Sequence, residues 1–336
     1  MSHHRYPSQA VLKRYIHLEF ALFSFPCKLL FFLRAQDKRV HTLKFPVVQR
    51  RLGPGVGTSV EIQTGGRVPR ADTFSPLAPH ISLVLGKYEI RLAETLAERE
   101  AACRLRFKVF NIELGEGLES SYHTGLDQDQ FDLFCDHLIV EDRSRREVVG
   151  TYRMQSGITA AEKLGYYSEQ EFDFAPYKAI RPEVLELGRA SIDREHRTSE
   201  VLTLLWRGIA QYARFYRLRY LIGCSSLNSR NPSEGWSMYR QLEPFLAAEP
   251  LRTNPTRSFE LPEPAADFSS EVKVPKLLKT YIAVGARICG APAWDREFGT
   301  IDFLTLLDLA QLSPAARNRF MPDSASSSSS APVCAY

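Results

Sequence analysis

Apolar residues along this chain fall into two kinds of run, one alternating or continuous and short, the other with a helical repeat, and the two kinds take turns. Tyr88–Ala93 predicts a short strand. Glu94–Leu114 carries Leu96, Cys103, Leu105, Phe107, Val109 and Phe110 among charges, which predicts an amphipathic helix. Asp136–Glu141 and Val148–Met154 are β-rich runs joined by the charged stretch Asp142–Glu147, the pattern of an antiparallel hairpin. Val184–Ile192 is the next strand. Ser199–Leu218 repeats apolar residues at Leu202, Leu205, Trp206, Ile209, Tyr212, Ala213 and Tyr216, and Thr198 or Ser199 is placed to cap that helix. Tyr220–Ser225 predicts a strand, Lys276–Cys289 a helix and Thr300–Leu307 a late strand. Paired strands followed by alternation of strand and helix predict a mixed α/β architecture, one twisted sheet with helices on both faces.

Composition changes the picture only at the ends. Residues 1–87 hold 13 Lys/Arg against 4 Asp/Glu, so the net charge of +4 hides a basic leading segment and a slightly acidic remainder. A general nucleic-acid role for the main domain is therefore unsupported. Residues 50–80 have the Gly/Pro composition of a linker, and the stretch from Asp323 is Ser-rich and low in complexity. The expected organisation is a basic, poorly ordered extension over 1–86, a packed domain over 87–322 and a disordered tail over 323–336. Phe20–Leu33 is apolar but interrupted by Pro26 and Lys28, too short to span a bilayer. Its basic flanks suit contact with a membrane surface; the alternative is an extension that never packs. The six cysteines show no CxxC pair and no zinc spacing, which points to a reducing cytoplasm and to no metal site.

The stretch Leu185–Trp206 concentrates the candidate chemistry. Strict alternation would place Glu186 and Arg189 on opposite faces of a strand. Gly188 between them suggests a bulge, which would bring both to one face and open main-chain N–H groups to a ligand carbonyl. The plainer alternative is a buried Glu186–Arg189 ion pair. Arg194, Arg197, Thr198 and Ser199 then precede or open a helix, where unpaired N–H groups suit a phosphate; an ordinary capped helix start is the competing reading. Cys135 and His137 lie two apart on one strand, but with no third group to orient them a nucleophile pair is disfavoured. Tyr152, Ser225 and Ser226 are weaker candidates for donating a proton to a leaving group.

Taken together, LRFKVF (105–110), FDLFCDHLIVED (131–142), VVGTYRM (148–154), LELGR (185–189), HRTSEVLTLLW (196–206) and the block over 277–307 resemble ornithine–acyl carrier protein N-acyltransferases. These belong to the GNAT superfamily and are similar to N-acyl amino acid and acyl-homoserine lactone synthases. The resemblance covers about Tyr88–Phe320. It implies a GNAT-like twisted mixed sheet and transfer of a long-chain (3-hydroxy)acyl group from acyl carrier protein to the α-amine of an amino acid, L-ornithine first among them. By the same resemblance Glu186 is the general base, Arg189 holds Glu186 or the substrate carboxylate, and Arg153 faces the cleft. Asp132 and Asp136 sit at its mouth near a cationic amino acid, and Arg197, Thr198 and Ser199 receive the phosphate of 4'-phosphopantetheine. No bound cofactor is implied, and the site of action is the cytoplasm with peripheral contact at the inner membrane. The turn lacks the glycines usual in acetyl-CoA-using relatives, which fits a carrier-borne single phosphate better than a CoA pyrophosphate. The alternatives are an N-acyl amino acid synthase for another amino acid, or an inactive haemolysin-like membrane-associated protein.

Overall fold

A computed structural model describes residues 79–264 and 272–321 of the chain. The apolar segment Phe20–Leu33 and the Ser-rich tail lie outside the described residues.

Nine strands form one sheet in the order β1-β2-β3-β4-β5-β6-β9-β7, with β8 also paired to β9. β1 (Ser82–Leu85) and β2 (Tyr88–Leu92) make a tight hairpin through Gly86, whose φ of 60° suits a residue without Cβ. The boundary expected at 86/87 falls inside that hairpin, so the sheet starts earlier than the sequence suggests. The half-exposed β1 gives a weak apolar signal. β3 (Asp136–Asp142) and β4 (Glu147–Ser156) pair antiparallel as predicted. β5 (Val184–Ile192) is antiparallel to β4 and parallel to β6 (Tyr220–Leu227), and β9 (Thr300–Asp308) closes on β6. β7 (Arg287–Ile288) and β8 (Ala293–Asp295) are short additions beside β9.

Helix α1 (Leu96–Phe107) starts on a capping box in which Thr95 and Glu98 satisfy each other's backbone N–H groups. The predicted helix runs on only as a wider π-type segment, Lys108–Leu114, stopped by Gly115 at φ 67°. α2 (Ser199–Phe215) is capped by Thr198. α3 (Pro232–Leu242), which the periodicity did not single out, begins with Asn231 as cap and Pro232 in its first turn. α4 (Lys276–Val284) is shorter than the predicted Lys276–Cys289 because Gly285, at φ 114°, ends it and the chain turns into β7. α5 (Pro314–Phe320) packs back on α2.

The sheet's alternation sorts the layers. Leu138 and Val140 join the core of α2, with Val201, Leu204 and Leu205. Ile139, between them in sequence, packs with Ala102 of α1. Helices therefore cover both faces, as the pattern predicts. Burying each large aliphatic side chain in these cores contributes about 1.5–3 kcal/mol.

The sheet opens at its centre. β5 and β6 are in parallel register at Val184↔Tyr220, Leu185↔Leu221 and Glu186↔Ile222, and the pairing ends there. Gly223 stands at the fork. A Cβ on it would lie 2.2 Å from the Leu187 carbonyl oxygen, a main-chain atom that cannot swing aside. Gly223→Ala is therefore expected to lower stability by about 1–3 kcal/mol, read as a fall in the denaturation midpoint. Gly188→Ala, whose Cβ would meet nothing within 4 Å, serves as the control.

Candidate active site

Beyond the fork lies a cavity of about 760 Å³, walled by the diverging halves of β5 and β6, by α2 and by α4. A second, of about 380 Å³, shares Tyr167, Arg189, Asp295 and Phe298 with it. Apolar side chains such as Leu187, Ile192, Leu202, Trp206 and Leu221 line the α2 side of the larger one, and polar groups gather on the α1 side.

The expected bulge is present but falls one residue later than Gly188. β4 and β5 lose register between Thr151 and Arg153, so Arg189 and Ala190 together stand opposite Tyr152. Arg189 takes a left-handed backbone, φ 53°. That costs a non-glycine residue about 1 kcal/mol or more. In return the face is reset: Leu187, Ala190 and Ile192 pack towards the α2 core, while Arg189 joins Glu186 on the α1 side.

Glu186 is buried on the cavity wall. Its Oε2 accepts from the Tyr167 backbone N–H at 2.8 Å, and its Oε1 accepts from the Ser168 N–H at 2.8 Å and the Ser168 hydroxyl at 2.7 Å. Burial pushes its carboxyl above the usual value, and these hydrogen bonds oppose the rise only in part. Its partners are thus Tyr167 and Ser168, and the simple Glu186–Arg189 ion pair is replaced by two separate networks. The guanidinium groups of Arg153 and Arg189 both lie against the Tyr167 ring, at 5.3 and 4.9 Å from its centroid.

Those two arginines share Asp129. Arg153 Nη1 meets its Oδ1 at 2.6 Å and Arg189 Nη2 its Oδ2 at 3.1 Å. Burial drives the Asp129 carboxyl up, but the two guanidinium charges outweigh it and hold the group below the usual range. Behind them Arg106, fully buried, bonds Asp127 through Nε at 2.7 Å and Asp132 through Nη1 at 2.7 Å and Nη2 at 3.0 Å. Three arginines and three aspartates form a matched block under the cleft.

This block corrects the roles expected of Asp132 and Asp136. Asp132 is engaged by Arg106, with Arg153 and His137 Nε2 each 3.4 Å away, and it lines neither cavity. Asp136 lies on the α2 face of the sheet, where it accepts a 2.7 Å hydrogen bond from the Tyr212 hydroxyl. Neither is placed to hold a substrate cation. The helix start is divided too. Arg197 and Thr198 line the cavity, while Arg194 and Ser199 do not, and Arg197 is paired with Glu113 at 2.6 and 2.8 Å. Burial raises the Cys135 thiol far above its usual value and lowers His137 to about 4, so neither has the charge state of a nucleophile pair.

Several groups escaped the sequence reading. Ser168 and Tyr167, which orient Glu186, lie in a short 3-10 turn with no periodic signal. Tyr281 on α4 meets Tyr152 hydroxyl to hydroxyl at 2.5 Å at the cavity wall. Arg106 was readable: three residues after Cys103 and three before Val109 it shares their apolar helix face, where an arginine must find buried carboxylates. Glu171, Cys224 and Asp302 bring their ligand-type atoms within 4.8 Å of one another, although they come from three separated segments.

A mixed sheet forked at its centre, with a buried carboxylate beside the fork, is the frame of the site, and comparison with known proteins places it in the GNAT class of acyltransferases. The family model for an acetyltransferase (GNAT) domain matches residues 105–207. The chain is 32% identical over 262 residues to an L-ornithine N(alpha)-acyltransferase of Brucella abortus (strain 2308), which spans 70% of this chain and 92% of the relative. It is 30% identical over 246 residues to one of Rhodobacter capsulatus, spanning 68% and 93%. An N-acyl amino acid synthase from uncultured soil microbes superposes with a TM-score of 0.43 at 13% identity, covering 70% of this chain and 97% of that one. The chain belongs to the L-ornithine N(alpha)-acyltransferase family.

Proposed function

We propose that the protein moves a long-chain (3-hydroxy)acyl group from acyl carrier protein to the α-amine of L-ornithine, giving lyso-ornithine lipid. The observation that carries this reading is Glu186, a buried carboxylate held by Tyr167 and Ser168 on the wall of the cavity opened by the β5/β6 fork. An amine attacks a thioester only when neutral. In this reading Glu186, directly or through a water, takes the amine proton as the C–N bond forms and the C–S bond breaks. The leaving thiolate takes up a proton from the Tyr152–Tyr281 hydroxyl pair, which solvent restores. The acyl chain lies along the apolar α2 side. The phosphopantetheine arm enters between the strands, with its phosphate near Arg197 and Thr198 at the start of α2. Arg153 and Arg189 position the acceptor side through Tyr167.

The donor and its carrier are supported by the wide, partly apolar cavity and by the absence of glycines from the turn before α2. The enzyme would act in the cytoplasm and release a single-chain lipid into the adjacent inner membrane. Among the described residues no helix is long and apolar enough to cross a membrane, so surface contact would rest on other features. Purified protein given 3-hydroxyacyl thioesters of acyl carrier protein and of CoA, with each amino acid in turn, is expected to form an amide with ornithine and to prefer the carrier-borne donor. Mass spectrometry of the lipid extract reads both. Amide formation with a neutral amino acid in preference to ornithine would replace the acceptor, and no amide at all would end the reading.

A further inference from the structure

The arginines beneath the cleft are matched by Asp127, Asp129 and Asp132, yet among the described residues a second group of acids beside the cavities has no arginine or lysine partner. Among the described residues nothing donates a hydrogen bond to Glu171 Oε1 or Asp302 Oδ1, which are buried in residues only 1% and 4% exposed. Asp302 and Asp295 line the larger cavity, and Glu171 and Asp295 line the smaller one beside it. The principal influences on Glu171 and Asp302 are burial, each other, Asp295 and neutral groups. Burial, then the neighbouring carboxylates, raise Glu171 well above its usual value; Asp302 is pushed up to about 6, and Glu116, on the same cavity wall, to about 7. Two carboxylates in such contact share a proton. An ammonium group in its place would leave both ionised and supply the donors that the two bare oxygens lack.

The basin is also coupled to the base. Glu171 Oε2 lies 3.7 Å from the Cys224 thiol, that thiol lies 3.4 Å from the Ser168 hydroxyl, and the Ser168 hydroxyl donates to Glu186 at 2.7 Å. A diamino acid has one amine at its α-carbon and a second at the end of a short alkyl spacer. Such a molecule can present the first to Glu186 and the second to the acids. We propose that Glu171 and Asp302, with Asp295 beside them, seat the side-chain ammonium of the amino-acid acceptor and so select a basic diamino acid over its neutral analogues.

The proposal rests on the reading of the site as an amino-acid N-acyltransferase, and the test separates the two. Acylation is measured with ornithine and with norvaline, which is ornithine without the side-chain amine. In the wild type kcat/KM favours ornithine. In Asp302→Asn, and in Glu171→Gln should the first variant fold poorly, the ratio of ornithine to norvaline is expected to fall roughly tenfold or more, the worth of a buried charged hydrogen bond. An unchanged ratio overturns the proposal and leaves the acyl-transfer reading standing. Ornithine alone is also titrated without donor, by thermal shift against norvaline. A stabilisation specific to ornithine and lost in Asp302→Asn supports the seat even if the wild type acylates nothing. If Zn²⁺ alone stabilises the wild type but not Cys224→Ser, while ornithine and norvaline shift it equally, the basin is a metal site and the proposal fails.

Discussion

Glu186→Gln is expected to lower kcat by about 10²–10⁴, the usual span for loss of a positioned general base. The change keeps shape and burial but removes the proton acceptor. It also turns an amide NH2 or a lone carbonyl towards the Tyr167 and Ser168 donors, so a modest loss of stability accompanies it. The pH profile separates catalysis from structure. Burial raises the Glu186 carboxyl above the ordinary value, and the Ser168 hydrogen bonds hold it down in part. The base must be ionised, so wild-type kcat/KM carries an acidic limb at that raised value, below the separate rise set by the acceptor's own α-ammonium. Glu186→Gln abolishes this acidic limb. Ser168→Ala removes a bond to the ionised form, so it moves the limb to higher pH while leaving the base in place. An acidic limb that persists in Glu186→Gln would assign the proton to another group.

The largest loss of stability is expected from Arg106→Met. Arg106 is 0% exposed and serves Asp127 and Asp132, both buried. Removing one partner of a buried ion pair leaves charge in a low-dielectric interior, which costs about 3–5 kcal/mol. Whole domains are stable by only about 5–15 kcal/mol, so the variant is expected to unfold at much lower denaturant concentration or to accumulate insoluble. Adding Asp132→Asn and Asp127→Asn should recover part of the loss, because the orphaned charges go with the arginine. The pH dependence has a definite sign. Burial pushes Asp132 up, but the charge and hydrogen bonds of Arg106 outweigh it and hold the carboxyl far below its unfolded value. The stabilisation is fully present above the unfolded value, about 3.9, and drains away as pH falls below it. The variant should lack most of this acid-dependent loss, and denaturation curves at pH 7 and pH 3 read the difference.

How much of this was legible in the sequence depended on whether a residue's neighbours in space were also its neighbours in the chain. Val184–Ile192 and its run of apolar alternation gave the central strand to the residue, and Glu186 and Arg189 with it. Helix ends were less readable where a single glycine decided them, as Gly285 does for α4. Asp136 was misplaced although the signal was there: the alternation that sends Leu138 and Val140 to the α2 core sends Asp136 the same way. Glu171, Asp302 and Asp295 were illegible. They come from a 3-10 turn margin, a long strand and a short one, and only the fold assembles them. Tyr281 lies within the predicted helix, and nothing in its own segment announces Tyr152 as its partner.

The three register pairs that join β5 to β6 have a mechanical meaning. The molecule is two half-sheets stitched at one end of a seam, and along the rest of that seam neither strand edge has a rung to the other. A slender guest with amide groups along its length can lie in the opening and close it like a zip. Loading the protein would then stiffen it, and amide hydrogens near the seam should exchange more slowly once the guest is in place.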